Sequence, residues 1–212
     1  MWEWRPFEKL LDVDTIIAEI DDHQCELFDE EKTYVTSAIP ARVREFAAGR
    51  CLARNLMSHR DVHRRSIPAG PGGQPIWPAG ITGSISHTAS HIGVAVASQD
   101  LYQGIGLDIE IIGNVGQLDL SMVLTQLEMD CLNDSPPMDY AAKVFSCKEA
   151  AFKAVFPIVC EYFEFRDIEI ALAGNDFRVA VDERFRSAAL LSFGRGSVEV
   201  REGLLATVFC IA

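Results

Sequence analysis

Residues 105–111 read Ile105-Gly106-Leu107-Asp108-Ile109-Glu110-Ile111. From Leu107 onward apolar and acidic residues alternate, and branched aliphatics dominate, so the segment reads as a strand. Side chains two apart share one face of a strand, roughly 6.5–7 Å from each other along the backbone. Asp108 and Glu110 therefore point one way, while Leu107 and Ile109 face a core. Working outward, Ile92 to Ala97 is a second, small and apolar strand. Residues 66–83 are a Pro/Gly-rich loop that includes Pro68, Gly70, Pro71, Gly72 and Gly73. Residues 40–58 read as a helix, with Pro40 in its first turn and an apolar stripe of Phe46, Cys51, Leu52, Leu56 and Met57. Helical character is also expected around residues 14–20.

Downstream, residues 121–132 read as a helix with Ser121 as N-cap. Residues 139–156 read as another, opened by Asp139 and ended by Pro157. Strands follow at 168–172, 177–181, 197–201 and 205–211, with turns at Gly174-Asn175 and Glu202-Gly203. Helix, loop and strands, then helix and strands again, make an α+β chain in two halves. The boundary falls near Gln99 to Gln103, giving an N-terminal half of residues 1–103 and a C-terminal half of residues 104–212.

The chain has 212 residues, enough to bury a core in each half. No apolar run of about 18 residues occurs, so no transmembrane helix is expected. The opening Met1-Trp2-Glu3-Trp4-Arg5 does not read as a secretory signal. Six cysteines, widely spaced and without a C-x-x-C pair, suit free thiols in a reducing cytoplasm. The net charge of −12 argues against nucleic-acid binding. The charge is uneven. Residues 1–40 carry only Arg5, Lys9 and Lys32 as cations, whereas Arg42, Arg44, Arg50, Arg54, Arg60, Arg64 and Arg65 crowd the next stretch. Such an island suits either a local anion site or a solvated helix face.

Three short motifs carry chemistry. Asp108 and Glu110 can converge on a hard cation, for which carboxylate oxygens favour magnesium over zinc; a solvated strand face shows the same pattern. In Phe145-Ser146-Cys147-Lys148-Glu149-Ala150-Ala151-Phe152-Lys153, Phe145 and Phe152, with Phe156 beyond, recur as a buried helical stripe. Glu149 and Lys153 are i, i+4 neighbours, fitting either a carboxylate-plus-phosphate site or a surface ion pair. Gly83-Ser84-Ile85-Ser86-His87-Thr88 offers hydroxyls and an imidazole to an anion, or simply bonds within its loop. It lacks the second glycine of a G-x-S-x-G elbow. His59 with His63, and His87 with His91, have i, i+4 spacing without the glutamate of H-E-x-x-H, so catalytic zinc is not expected.

Taken in order, the arginine-rich helix, Trp77-Pro78, S-x-S-H, G-x-D-x-E and F-S-x-K-E-A-x-x-K closely resemble the 4′-phosphopantetheinyl transferases. The likeness is to the group typified by enzymes of siderophore synthesis, such as enterobactin synthetase component D, and spans residues 40 to 157. It implies two similar α/β halves related by a pseudo-twofold axis, with a coenzyme A cleft between them. It implies that Asp108, Glu110 and Glu149 hold magnesium, with manganese as a substitute, and that Glu149 is the general base. Lys153 would bind phosphate, assisted by Lys148. Ser86 and His87 would contact a coenzyme A phosphate, and Arg42 and Arg50 its 3′-phosphate end.

The activity so implied is transfer of the 4′-phosphopantetheine arm of coenzyme A to a serine of an apo carrier protein, releasing 3′,5′-ADP. The carrier would be peptidyl, aryl or acyl, in a nonribosomal peptide or polyketide assembly line, and the enzyme a cytoplasmic monomer. Two competing readings are a degenerate binder of coenzyme A or carrier, and a phosphohydrolase using the same carboxylates. Relatives often carry a cation in the loop before Trp77-Pro78. Ala69 to Pro75 has none, which leaves that grip to Arg64 or Arg65.

Overall fold

The computed structural model describes residues 2–23, 25–63, 65–117, 119–132 and 137–212. The chain divides into two compact units, Met1–Tyr102 and Gln103–Ala212. Each is built on one antiparallel sheet, so the class is α+β. Among the described residues no helix is long and apolar enough to cross a membrane.

In the first unit the sheet order is β1-β2-β4-β3, from β1 (Glu3–Trp4), β2 (Val13–Glu19), β3 (Ile81–His87) and β4 (His91–Ser98). Helix α1 (Asp29–Val35) leads into α2 (Pro40–Ser58), which has Pro40 at its start as its sequence requires. Leu52, Leu56 and Met57 of α2 bury against Ile16, Ile92, Val94 and Val96 of the sheet.

Two expectations fail here. Residues 14–20 are strand β2 with a short 3₁₀ turn after it, not helix. The run Val13, Thr15, Ile16, Ile17 is β-branched, and both faces of β2 are buried from Thr15 to Ala18, which hides the alternation of a half-exposed strand. Gly83-Ser84-Ile85-Ser86-His87 is not a loop but the body of β3, with Ser84 opposite Ala95 and Ser86 opposite Gly93. Its small residues leave room for Trp77, whose indole N–H donates to the Gly83 carbonyl at 2.8 Å. A Cβ on Gly83 would meet the Trp77 ring at 2.8 Å.

The acidic start of the chain balances the basic helix. Arg60 donates to Asp14 at 2.7 Å and to Asp12 at 2.9 Å, and Arg54 to the fully buried Glu31 at 2.8 Å. Arg54 and Arg60 of the island are thus held by carboxylates from the acidic start of the chain.

In the second unit the order is β5-β9-β8-β7-β6: β5 (Gly104–Ile111), β6 (Ile168–Ala173), β7 (Asp176–Val181), β8 (Arg195–Arg201) and β9 (Leu204–Ile211). The expected helix over 121–132 is two short ones, α3 (Leu120–Val123) and α4 (Gln126–Cys131). Asp119, not Ser121, caps the first by accepting from the Ser121 N–H. Thr125 breaks the run because its hydroxyl caps α4. Helix α5 (Pro137–Val159) begins before Asp139, which lies in its first turn, and continues past Pro157. It stops at Cys160, whose φ of 49° is left-handed. A last helix, α6 (Ala188–Phe193), precedes β8.

The core face of α5 is not the phenylalanine stripe. Small residues, Ala141, Ala142, Ala150, Ala151 and Ala154 with Val144 and Val155, fill it. Phe145 is only partly buried, and Phe152 forms an aromatic cluster with Phe156, Tyr162 and Phe163 at ring separations of 5.1–6.0 Å. Close approach explains the alanines. A Cβ on Gly106 would lie 1.8 Å from the Ala150 carbonyl oxygen, and one on Gly104 would lie 2.3 Å from that of Ala154. Glycines on β5 thus let the helix backbone rest directly on the strand.

Candidate active site

That close contact sets the spacing between β5 and α5, and the charged residues follow from it. Asp108 is on the same face of β5 as Gly106, under the helix, and is 2% exposed. Lys153 of α5 places its Nζ 2.6 Å from Asp108 Oδ1 and 3.7 Å from Glu149 Oε2. The other Asp108 oxygen accepts from Ser146 Oγ at 2.8 Å, and Ser146 Oγ lies 2.9 Å from Thr207 Oγ1. Thr207 stands opposite Asp108 in the β5–β9 register. Asp108 is therefore held by α5 at both oxygens, by the Ser146 hydroxyl at one and the Lys153 ammonium at the other.

Glu110, the next residue on that face, is pushed up to about 7 by burial, with Asp108 and Glu149 adding repulsion and Lys153 opposing. Burial and the Asp108 charge likewise raise Glu149, against the pull of Lys153. For Lys153 itself burial acts downward, but Asp108, Glu149 and Glu110 outweigh it and hold the ammonium above its ordinary value. Three carboxylates crowd one cation, which strains those in excess. Their hard oxygens suit a divalent ion such as magnesium. As they stand, though, no three His, Cys, Asp or Glu side chains among the described residues are arranged to hold a metal. The Lys153 ammonium is drawn in on Asp108 instead.

Lys148 departs from its expected role. It is fully buried, and its three ammonium protons go to Glu128 Oε2 at 2.6 Å, the Val123 carbonyl at 2.9 Å and the Phe165 carbonyl at 2.8 Å. An ammonium so committed has no proton left for a phosphate, so Lys148 ties α5 to its neighbours instead. In the sequence its partner Glu128 is marked only by the capping box Thr125-Gln126-Leu127-Glu128. Glu128 also accepts the Ile170 N–H at 2.8 Å. Ser146 and Thr207 join the site through the fold. Ser146 lies inside the quoted helix motif, and Thr207 needs the strand register to be found.

On the other side of Glu149 is an open cavity of about 550 Å³, lined by Phe145, Phe152, Phe163 and Phe165 with Met122 and Glu149. The expected phenylalanine stripe thus borders a cavity beside a carboxylate.

In the first unit, Arg42, Glu45 and His87 come together. Arg42 Nη1 lies 2.5 Å from His87 Nε2 and donates to Glu45 Oε2 at 3.2 Å. Ser86 is buried one residue along β3. Arg50 stacks its guanidinium 3.5 Å over the Phe46 ring and donates from Nε to the Ile67 carbonyl. Its Nη2 is buried with no hydrogen-bond partner among the described residues. An orphaned, buried guanidinium nitrogen is costly unless an anion completes it. Arg65 lines a second cavity, about 720 Å³, with His63, Ser66, Trp77 and Pro78. Arg64 lies outside the described residues.

The known proteins that this chain matches agree with one another. A family described as the 4′-phosphopantetheinyl transferase N-terminal domain matches residues 30–97, and the 4′-phosphopantetheinyl transferase superfamily matches residues 104–201. The chain is 30% identical over 200 residues to 4′-phosphopantetheinyl transferase Svp of Streptomyces mobaraensis, covering 91% of this chain and 81% of that protein. It is 28% identical over 194 residues to 4′-phosphopantetheinyl transferase PptT of Mycobacterium tuberculosis, covering 86% and 85%. Enterobactin synthase component D of Salmonella typhi is 37% identical over 123 residues, 56% of this chain and 50% of that protein. With family matches along both units and a relative 30% identical over 91% of the chain, the chain belongs to the 4′-phosphopantetheinyl transferase superfamily and is a transferase of that kind.

Proposed function

We propose that this enzyme moves the 4′-phosphopantetheine arm of coenzyme A onto a serine hydroxyl of an apo carrier protein. Asp108, Glu110 and Glu149 would hold magnesium, which when bound offsets charge on the pyrophosphate. The observation that carries this reading is the meeting of Asp108, Lys153 and Glu149 across β5 and α5 in a transferase of this superfamily. With magnesium on these carboxylates, the Lys153 ammonium would be available to a phosphate oxygen.

Glu149 is the candidate general base. Burial, with the Asp108 charge adding to it, raises its proton affinity against the pull of Lys153, the direction a general base needs, and it faces a cavity through which a hydroxyl can arrive. Arg42, Arg50, Ser86 and His87 are assigned to the phosphates of coenzyme A, an assignment favoured by the unsatisfied Nη2 of Arg50. Arg65 is a further candidate, taking the place of the cation missing from residues 69–75. The phenylalanine-lined cavity beside Glu149 offers an apolar seat for a carrier, which suits an enzyme of net charge −12 better than charge attraction to an acidic partner. Carrier domains of nonribosomal peptide or siderophore assembly lines are the proposed acceptors, by likeness to enterobactin synthase component D.

The test incubates the purified protein with coenzyme A, magnesium and an apo peptidyl carrier protein, and follows the carrier by intact mass. A gain of one phosphopantetheine arm is expected. It should vanish with EDTA and fall about 10²–10⁴-fold in rate for Glu149→Gln, with coenzyme A binding retained. Full turnover by Glu149→Gln would remove the general-base assignment. Release of phosphopantetheine into water with no carrier present would make the protein a hydrolase.

A further inference from the structure

Ahead of α1 the chain returns over α2 at Cys25. The Cys25 sulfur lies 3.9 Å from the Ala47 carbonyl oxygen and accepts from Arg54 Nη2 at 2.9 Å. Ala47 and Arg54 are four residues before and three after Cys51, on one face of the helix. Cys25 therefore sits over Cys51, within reach of a thiol–thiol hydrogen bond. Both are partly exposed, and neither is in a disulfide.

Arg54 is fixed in place by the other edge of its guanidinium. Its Nη1 donates to both oxygens of the buried Glu31 at 2.8 and 3.1 Å, and Glu31 is itself held by the Phe28 and Ile67 N–H groups. A cation so anchored beside one sulfur favours the thiolate. The Cys51 hydrogen bond, opposed by burial and helped by Arg54, brings Cys25 down to about 6. Cys51 is raised in turn by that same bond, by burial and by the charge on Cys25, with Arg54 acting the other way. No part of the transfer reaction uses these groups.

We propose that Cys25 and Cys51 are a peroxide-reactive pair that closes to an intramolecular disulfide. The Cys25 thiolate attacks one oxygen of hydrogen peroxide and the O–O bond breaks. Cys25 becomes a sulfenic acid, and the departing hydroxide takes a proton to become water. Cys51 then attacks the Cys25 sulfur, the S–S bond forms, and the S–O bond breaks. The hydroxyl leaves with the Cys51 proton as a second water. Two electrons pass from the thiols to one peroxide molecule. The first step prepares the second, because oxidation removes the Cys25 charge that holds the Cys51 proton and leaves Arg54 nearby. The crosslink would join residues 25–28 to the helical turn that carries Arg50.

The experiment exposes the full chain to hydrogen peroxide at neutral pH and maps the digest without reduction. The expected first product is the Cys25–Cys51 crosslinked peptide, reversed by dithiothreitol. In Cys51→Ser, dimedone should trap a sulfenic acid on Cys25. Before oxidation, iodoacetamide should label Cys25 at least about tenfold faster than the exposed Cys131 and Cys160. The labelling rate should reach half its maximum near pH 6. Oxidation of Cys131 or Cys160 ahead of Cys25, or Cys25 passing to the sulfinic acid in the unaltered protein without crosslinking, would overturn the proposal. The unaltered chain gives the deciding result, so a variant that folds poorly leaves it intact.

Discussion

The Lys153 ammonium is shared between Asp108 Oδ1 at 2.6 Å and Glu149 Oε2 at 3.7 Å, joining a strand and a helix that touch through glycine. The carboxylate on the strand is buried, so this cation holds a charge that would otherwise be costly there. A metal on the same carboxylates would relieve Lys153 of that task.

Lys153→Met is therefore expected to cost activity and stability separately. Phosphopantetheinyl transfer should fall by about 10²–10³-fold in kcat/KM, the scale for losing one charge-stabilising donor. Thermal unfolding without metal should begin earlier, and magnesium should recover more of the loss than it adds to the parent protein. Differential scanning calorimetry with and without magnesium measures this. An equal magnesium shift in both proteins would mean that the carboxylates do not share a cation.

Lys148→Met should behave differently. It removes one partner of a fully buried pair and leaves Glu128 charged in the core, at a cost of about 3–5 kcal/mol. Urea unfolding should show that loss, while the coenzyme A affinity of the folded fraction stays as in the parent. A raised coenzyme A dissociation constant in protein that is still folded would return Lys148 to the phosphate site.

Gly106→Ala puts a Cβ 1.8 Å from the Ala150 carbonyl oxygen and 2.6 Å from the Ala154 nitrogen, both backbone atoms. The helix must lift, so a loss of at least about 2 kcal/mol is expected in denaturant titration. Asp108 and Lys153 separate as it lifts, so kcat should fall in whatever fraction folds. Gly174→Ala, at an open turn with φ of 65°, should lose only the strain of that conformation and keep kcat.

Glu161 accepts from the Ser187 N–H at 3.0 Å, the Ser187 hydroxyl at 2.9 Å and the Arg186 N–H at 3.2 Å. The Ser187 N–H, aided by the other two donors and by the charge of Arg186 against slight burial, lowers its proton affinity below the ordinary value of 4.5. A carboxylate lowered on folding stabilises fully above its unfolded value, and loses that contribution as pH falls through the folded one. Glu161→Gln should thus be less stable than the parent at neutral pH and converge with it as the pH falls through the lowered folded value. A gap that persists unchanged in acid would show that packing, not charge, makes the difference.

Much of this protein is written locally. Pro40 and the spacing of Leu52, Leu56 and Met57 set α2. The alternation of residues 105–111 set β5, and Gly174-Asn175 and Glu202-Gly203 set two hairpins. Asp108, Glu149 and Lys153 could be named from their motifs because i, i+2 and i, i+4 spacings fix which side chains share a face. What the sequence left open depends on residues far apart in the chain. Whether residues 14–20 coil or extend was decided by β4, whose register pairs Ile16 with Val94, and by the packing that buries Thr15 to Ala18 on both faces of β2. Lys148 and Lys153 look alike in the motif. Their difference comes from Glu128, Val123 and Phe165 on one side of α5 and Asp108 on the other. Cys25 and Cys51 have no sequence signature at all. A hydrogen bond or ion pair between distant residues forms only after packing has excluded water from both, so local spacing names the charged groups and tertiary burial assigns their partners.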